Sequence, residues 1–208
     1  MQADRTAKGL AVPRIVDQDQ RRAAIAEALW RVAAGEGLEA VSLARVAREA
    51  GVSKGRVQHY FASRDELLAD AGRRLVARVR GRVADRLAAA GPTLAPAEHV
   101  RVLLRGVLPL DETSRVDARV RSAFLVRALG DPALVREYQE GNRLLVTAVT
   151  GCLQIHGVTE PDASQEARLL VALVEGLETA VLLEEETPAS ATALVDHQIA
   201  RAFGHTGQ

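Results

Sequence analysis

Residues 42 to 61 read Ser42-Leu-Ala-Arg-Val-Ala-Arg-Glu-Ala-Gly51-Val-Ser53-Lys-Gly-Arg-Val-Gln-His-Tyr60-Phe61 and constrain the fold more than any other part of the chain. Ser42 is an N-cap residue type, and Leu43, Val46, Ala47 and Ala50 follow it at helical spacing. Gly51 permits the positive φ that ends a helix, and Ser53 restarts a second one almost at once. Two short helices joined so abruptly must cross steeply, which is the helix-turn-helix arrangement.

Each residue of the second helix turns the side-chain direction by about 100°. Val57 and Phe61 therefore share an inward face. Opposite them lie Gly55, Arg56 and His59, placed to meet base edges in a major groove, while Lys54, Gln58 and Tyr60 flank them where phosphates run. Ser42, Arg45 and Ser53 complete the candidate DNA-contacting set in this window. A plain surface helix gives no reason for Gly55, because glycine costs a helix about 1 kcal/mol. A backbone that must approach DNA closely does give one.

From Arg21 to Leu68 the chain resembles the tetracycline-repressor (TetR) family of bacterial transcription regulators. The resemblance rests on Ala28-Leu29, Gly35-x-Gly37, Val41-Ser42, Val46-Ala47-x-x-Ala50-Gly51-Val52-Ser53-Lys54-Gly55 and Tyr60-Phe61-x-Ser63-Arg64-Asp65-Glu66-Leu67-Leu68. Many members carry Leu-Tyr where this chain has Val57-Gln58, and its Gln-His-Tyr-Phe run is more similar to the subgroup of choline and betaine regulators. The resemblance implies an N-terminal three-helix DNA-binding domain joined by a long helix to a helical ligand-binding and dimerisation domain.

Ala, Leu, Val, Arg and Glu dominate 208 residues of which 48% are hydrophobic and only 3% aromatic, a composition that suits an all-α fold. Cys152 is the single cysteine, which excludes an internal disulfide and reads as a buried structural thiol. No secretory signal or membrane-spanning run is visible, so a cytoplasmic bacterial protein without membrane association is expected. The net charge is zero, but residues 1–86 carry 17 Lys and Arg against 11 Asp and Glu, whereas residues 87–208 carry 10 against 16. A basic N-terminal half has the sign required to displace counterions from DNA.

The first sixteen residues contain Arg5, Lys8 and Arg14 without periodicity and read as a disordered arm. Order is expected from Asp17, where Asp17-x-x-Gln20 has the form of a capping box, so a DNA-binding domain over 17–64 and a regulatory domain over 65–208 are predicted. Trp30 is expected to serve packing. Ser63-Arg64-Asp65-Glu66 opens a long connecting helix that runs to about residue 90, before Gly91-Pro92, and its first turn places Arg64 to hold a phosphate. Five further helices are predicted at about 96–108, 111–129, 132–156, 160–184 and 188–203, each bounded by Pro, Gly or Asp signals.

The run Leu169-Leu-Val-Ala-Leu-Val174, with Gly176-Leu177 and Ala180-Val-Leu-Leu183 behind it, is apolar nearly all the way round. Such a helix must be covered on two sides, by a core and by a partner subunit. The expected homodimer interface comprises Leu173, Leu177, Val181, Leu194 and Ile199, with a wholly intramolecular bundle as the competing arrangement. For a small-molecule effector the resemblance implies a pocket between the later helices, with Leu104, Phe124, Leu145 and Leu177 as apolar lining. Glu175 and Glu178 interrupt their apolar helix and need partners, which Arg121 or Arg127 would supply, either as a structural ion pair or as ligand anchors.

The five histidines form no metal-ligand spacing, and neither a phosphate loop nor a nucleophile elbow is present, so no cofactor, metal or catalytic site is expected. The expectation is a homodimeric, ligand-responsive repressor on a pseudo-palindromic double-stranded DNA operator, released by an apolar or amphipathic effector. A small all-helical enzyme and a DNA-binding regulator without a ligand are the alternatives.

Overall fold

The computed structural model describes residues 14–204. Among these the chain forms nine α-helices and one short 3-10 turn and no strand, so the fold is all-α as the composition requires. The first three helices are α1 (Arg14–Glu36), α2 (Leu43–Glu49) and α3 (Lys54–Tyr60), with the 3-10 turn at Leu38–Ala40. The long α4 (Arg64–Ala90) leads to α5 (Pro96–Arg105), α6 (Glu112–Ala128), α7 (Pro132–Ile155), α8 (Asp162–Leu182) and α9 (Pro188–Gly204).

Local chemistry sets the boundaries at the helix-turn-helix. The hydroxyls of Ser42, Ser53 and Ser63 each accept the backbone N–H three residues on, at 3.1 to 3.2 Å, and so begin α2, α3 and α4. Between α2 and α3, Gly51 takes φ +67°, and the Val52 N–H turns back to the Ala47 carbonyl at 3.0 Å, closing a Schellman motif. The Glu66 carboxylate accepts from the Ala62 N–H at 2.8 Å, one residue earlier than a regular capping box.

Two boundaries differ from the sequence reading. The α1 backbone begins at Arg14, so Asp17 lies inside the helix, and the expected capping box does not form its start. Of the expected arm, residues 1–13 lie outside the described residues and 14–16 are helical. The α5 helix stops at Arg105, before the Pro109 break. Gly106 there lies so close to α4 that a Cβ would clash with the Val83 side chain.

Two apolar cores result. The first joins α1, α2, α3 and the start of α4 around the fully buried Leu29, Val46, Val57, Phe61, Leu67 and Leu68. Trp30 belongs to it, and its indole N–H donates to the Ala71 carbonyl of α4 at 3.2 Å. Val120 and Phe124 of α6 also belong to it, so this N-terminal core is completed by a helix some fifty residues beyond the boundary at 64 expected from sequence. The second core packs α5, α7, α8 and α9 around Leu104, Leu153, Leu170 and Ile199, and includes the buried Cys152.

Where these helices leave the second core, their outer faces correct the interface drawn from sequence. Leu177, Val181 and Ile199 are buried inside the protomer and Leu173 is half-buried, so only Leu194 of the expected five is exposed. The inward stripe of α8 is Leu170, Val174, Leu177 and Val181. Its outward stripe is Leu169, Ala172, Gly176 and Thr179, continued by Leu183 at its C-cap, with Leu169 57% and Leu183 64% exposed. The core selects the stripe with the larger branched side chains. The stripe of smaller residues is left uncovered.

Candidate nucleic-acid interface and effector cavity

The α3 helix is held from beneath by Arg22 of α1. Its guanidinium donates to the Tyr60 carbonyl at 2.7 Å, satisfying a C-terminal acceptor of α3, and lies 4.2 Å from the centroid of the Phe61 ring. The same group pairs with the buried Asp70 at 3.1 Å, and Asp70 also accepts from Arg74 at 2.7 Å. Val57 and Phe61 point inward with no exposed surface. Lys54, Gly55, Arg56, Gln58 and His59 are exposed together, and Tyr60 is half-buried with its ring edge-on to His59. Nothing lies within 4 Å of where a Gly55 Cβ would stand, and its φ is not in the left-handed region, so nothing within the protomer requires glycine there.

Two of the expected DNA contacts are otherwise engaged. Arg64 turns back and donates to the Val41 and Leu38 carbonyls at 2.7 and 2.8 Å, fastening α4 to the 3-10 turn rather than facing outward. Arg45 lies between Glu36 of α1 and Glu49 of its own helix, at 3.0 Å from the latter, with 19% of its side chain exposed. Both carboxyls are held below their ordinary range, Glu36 by Arg45 and Glu49 first by Arg31 and then by Arg45. Ser42 and Ser53 are exposed, with their hydroxyls used as caps. Arg48, exposed on α2, is a cation that sequence reasoning passed over, although it follows Arg45 by three residues on one helix.

Above this unit, α4, α5, α6, α7 and α8 line a cavity of about 480 Å³ that opens to solvent. One wall is aliphatic, formed by Leu75, Val76, Val79, Val83 and Leu87 of α4. Polar groups gather on the other side: Arg121, Tyr138, Asn142, Glu175 and Glu178. Arg121 grips Glu178 with two donors, its Nε at 3.1 Å, and also donates to the Val107 carbonyl at 2.9 Å. Asn142 donates to Glu175. Burial pushes the Glu178 carboxyl above its ordinary range against the pull of Arg121, and the neighbouring Glu175 adds to the rise. Burial likewise pushes the Tyr138 phenol up to about 12.

Of the effector residues expected from sequence, Arg121, Phe124, Leu145, Glu175 and Glu178 line this cavity. The other three do not. Leu104 and Leu177 are consumed by the second core, and Arg127 reaches away to Asp65 of α4 at 2.6 Å. Tyr138 and Asn142 were missed, and the scarcity of aromatic residues was the one signal for Tyr138. Phe124 faces two ways: it lines the cavity and also packs in the first, N-terminal core, where a Cβ on Gly72 of α4 would lie 3.5 Å from its ring.

Residues 25–71 match the family model of bacterial regulatory proteins of the tetR family, and residues 96–204 match that of the BetI-type transcriptional repressor C-terminal domain. The chain belongs to the TetR family. Among relatives of known sequence, it is 32% identical over 175 residues to the HTH-type transcriptional regulator PksA of Bacillus subtilis, covering 83% of this chain and 84% of that one. A transcriptional regulator from Rhodococcus sp. Rha1 superposes with a TM-score of 0.79 at 33% identity, covering 88% of this chain and 96% of that one. A regulator from Saccharomonospora viridis, solved in complex with choline, shares the fold with a TM-score of 0.75 at 24% identity over 90% of this chain and 97% of that one. These TetR-family relatives are DNA-binding transcriptional regulators rather than enzymes. Among the described residues, no helix of this TetR-family chain is long and apolar enough to cross a membrane.

Proposed function

We propose that this TetR-family regulator acts as a homodimeric repressor that a small-molecule effector releases from a pseudo-palindromic operator. The observation that carries this reading is the double placement of Phe124, which is at once cavity wall and part of the core beneath α3. An occupant that moves α6 or α4 must then repack the helices that orient the reading face. The choline bound by the Saccharomonospora viridis regulator supports a small-molecule ligand for a protein of this fold. The uncovered stripe of Leu169, Ala172, Gly176, Thr179 and Leu183, continued by Leu194 of α9, supports pairing of two copies. A two-fold axis there lets two α3 helices address successive major grooves, about 34–36 Å apart.

In this reading Arg56 and His59 contact base edges, with Gly55 allowing close approach, and Lys54, Gln58 and Tyr60 meet the backbone. Arg48 adds a phosphate contact in place of Arg64 and Arg45. Effector and operator must oppose each other reciprocally, with a typical coupling of roughly 5- to 150-fold in affinity. The test is to select an operator duplex with the full-length protein, screen metabolites and apolar amines by thermal shift, and titrate hits into the protein–DNA complex. A hit that loosens the complex, and binds less tightly by the same factor when operator is present, is the expected outcome. If bound compounds leave operator affinity unchanged, effector control is refuted and DNA binding stands alone.

A further inference from the structure

The chemistry of the cavity narrows its occupant. Among the described residues Glu178 is already paired with Arg121, whereas Glu175, exposed at the solvent side of the cavity, has only the neutral amide of Asn142 and no cationic partner. Arg80 also lines the cavity, but on the α4 side, where it faces Glu140 and helps Arg143 hold that carboxyl below its ordinary range. One end of the cavity therefore carries two carboxylates against one guanidinium, with the Tyr138 hydroxyl beside them and, among the described residues, without a hydrogen-bond partner. Tyr138 and Phe124 both line the cavity, so aromatic surface is available to a cation beside these carboxylates.

We propose that the effector is a cationic amphiphile, a protonated amine or quaternary ammonium whose charge sits between Glu175 and Tyr138 and whose apolar body lies along Val76, Val79 and Val83 of α4. This rests on the cavity being the effector site. An anionic ligand would set its charge against Glu175, and a neutral one would dry that carboxylate without supplying a counter-charge. A small cation alone is a poor match for the remaining space. The cavity of about 480 Å³ has an aliphatic wall along α4, and only two aromatic side chains line it, Phe124 and Tyr138, too few to enclose a quaternary ammonium as a cage. The apolar body fills what the charged head leaves empty, and filling the α4 wall is what reaches the helix that carries the reading head.

Four probes separate these features: decyltrimethylammonium, decanoate, decanol and choline, each titrated below its micelle concentration into the full-length protein by calorimetry and into the protein–operator complex by anisotropy. Decyltrimethylammonium is expected to bind about tenfold or more tightly than each of the other three, the scale of one desolvated charge contact. Glu175→Gln should remove most of that advantage while changing decanol affinity by no more than about twofold. Arg80→Gln, on the rim, should leave the cation's affinity equal or higher. Equal affinity for decanol and the cation, tighter binding of decanoate, or no response to Glu175→Gln in a variant with unchanged melting would each overturn the assignment of charge. Choline binding as tightly as the decyl cation would overturn the apolar body. Tight cation binding without operator release would leave the ligand class standing and refute effector control.

Discussion

Gly55→Ala pits the stability of α3 against its function. The glycine sits in the first turn of α3, exposed, without a left-handed φ and with open space where a Cβ would project. Alanine there meets nothing in the protomer, so the substitution should stabilise the protein by about 0.4–1 kcal/mol through reduced freedom of the unfolded chain and better helix propensity. For a chain of this size that is a rise in melting temperature of roughly 1–4 °C, readable by circular dichroism. On the operator the sign reverses. If the α3 backbone approaches DNA at Gly55, a methyl group in a filled interface costs about 1–3 kcal/mol, a loss of roughly 5- to 150-fold in affinity. Fluorescence anisotropy at one fixed salt concentration measures it, since phosphate contacts make any affinity salt-dependent. A stabilised variant with undiminished operator affinity would refute the claim that glycine is there for DNA.

Other perturbations test separate parts of the structure. Arg56→Ala should cost about 1–3 kcal/mol at one operator base position and relax preference there, as read by binding to a panel of single-base variants, and an unchanged preference would remove Arg56 from base contact. Ala172→Arg should yield a folded monomer by sedimentation, because its side chain points outward, whereas Leu177→Arg should unfold the chain; a dimeric Ala172→Arg would move the interface elsewhere. Asp117, buried on α6 and paired with Arg82 at 2.5 Å and Arg78 at 3.4 Å, ties α6 to α4, so Asp117→Ala should destabilise by about 3–5 kcal/mol in denaturant titration. Asp111 caps α6 by accepting from the Ser114 N–H at 2.7 Å, and that bond first, then the Ser114 hydroxyl, holds its carboxyl below the ordinary 3.8. Asp111→Ala should cost about 1 kcal/mol at neutral pH. A depressed native pKa stabilises above the unfolded value and ceases to as pH falls through it, so the gap between wild type and variant should close below about pH 4; a gap constant down to pH 2 would contradict that cause.

Local signals were legible in the sequence because they depend on neighbours a few residues away. Ser42, Ser53 and Ser63 cap the helices that their spacing announced, and Gly51 turns where a positive φ was needed. The inward placement of Val57 and Phe61 followed from helical periodicity alone, and with it the exposure of Gly55, Arg56 and His59. What periodicity does not specify is which of several candidate partners a side chain meets. Arg45 and Arg64 had the charge and position of phosphate ligands, but Glu36 and the carbonyls of Leu38 and Val41 lie within their reach once α1 and α4 are packed. On α8, apolar nearly all round, composition left its two apolar faces indistinguishable, and only packing against α7 and α9 assigned Leu177 and Val181 to the core and Leu169 and Ala172 to the outside. The cavity is likewise a product of how five helices diverge, so Tyr138 and Asn142 became part of its wall, and Leu104 and Leu177 did not, by the angle of packing. A sequence determines its helices through contacts within a few turns, whereas interfaces and cavities arise from contacts between residues far apart in the chain, and those exist only after the helices have met.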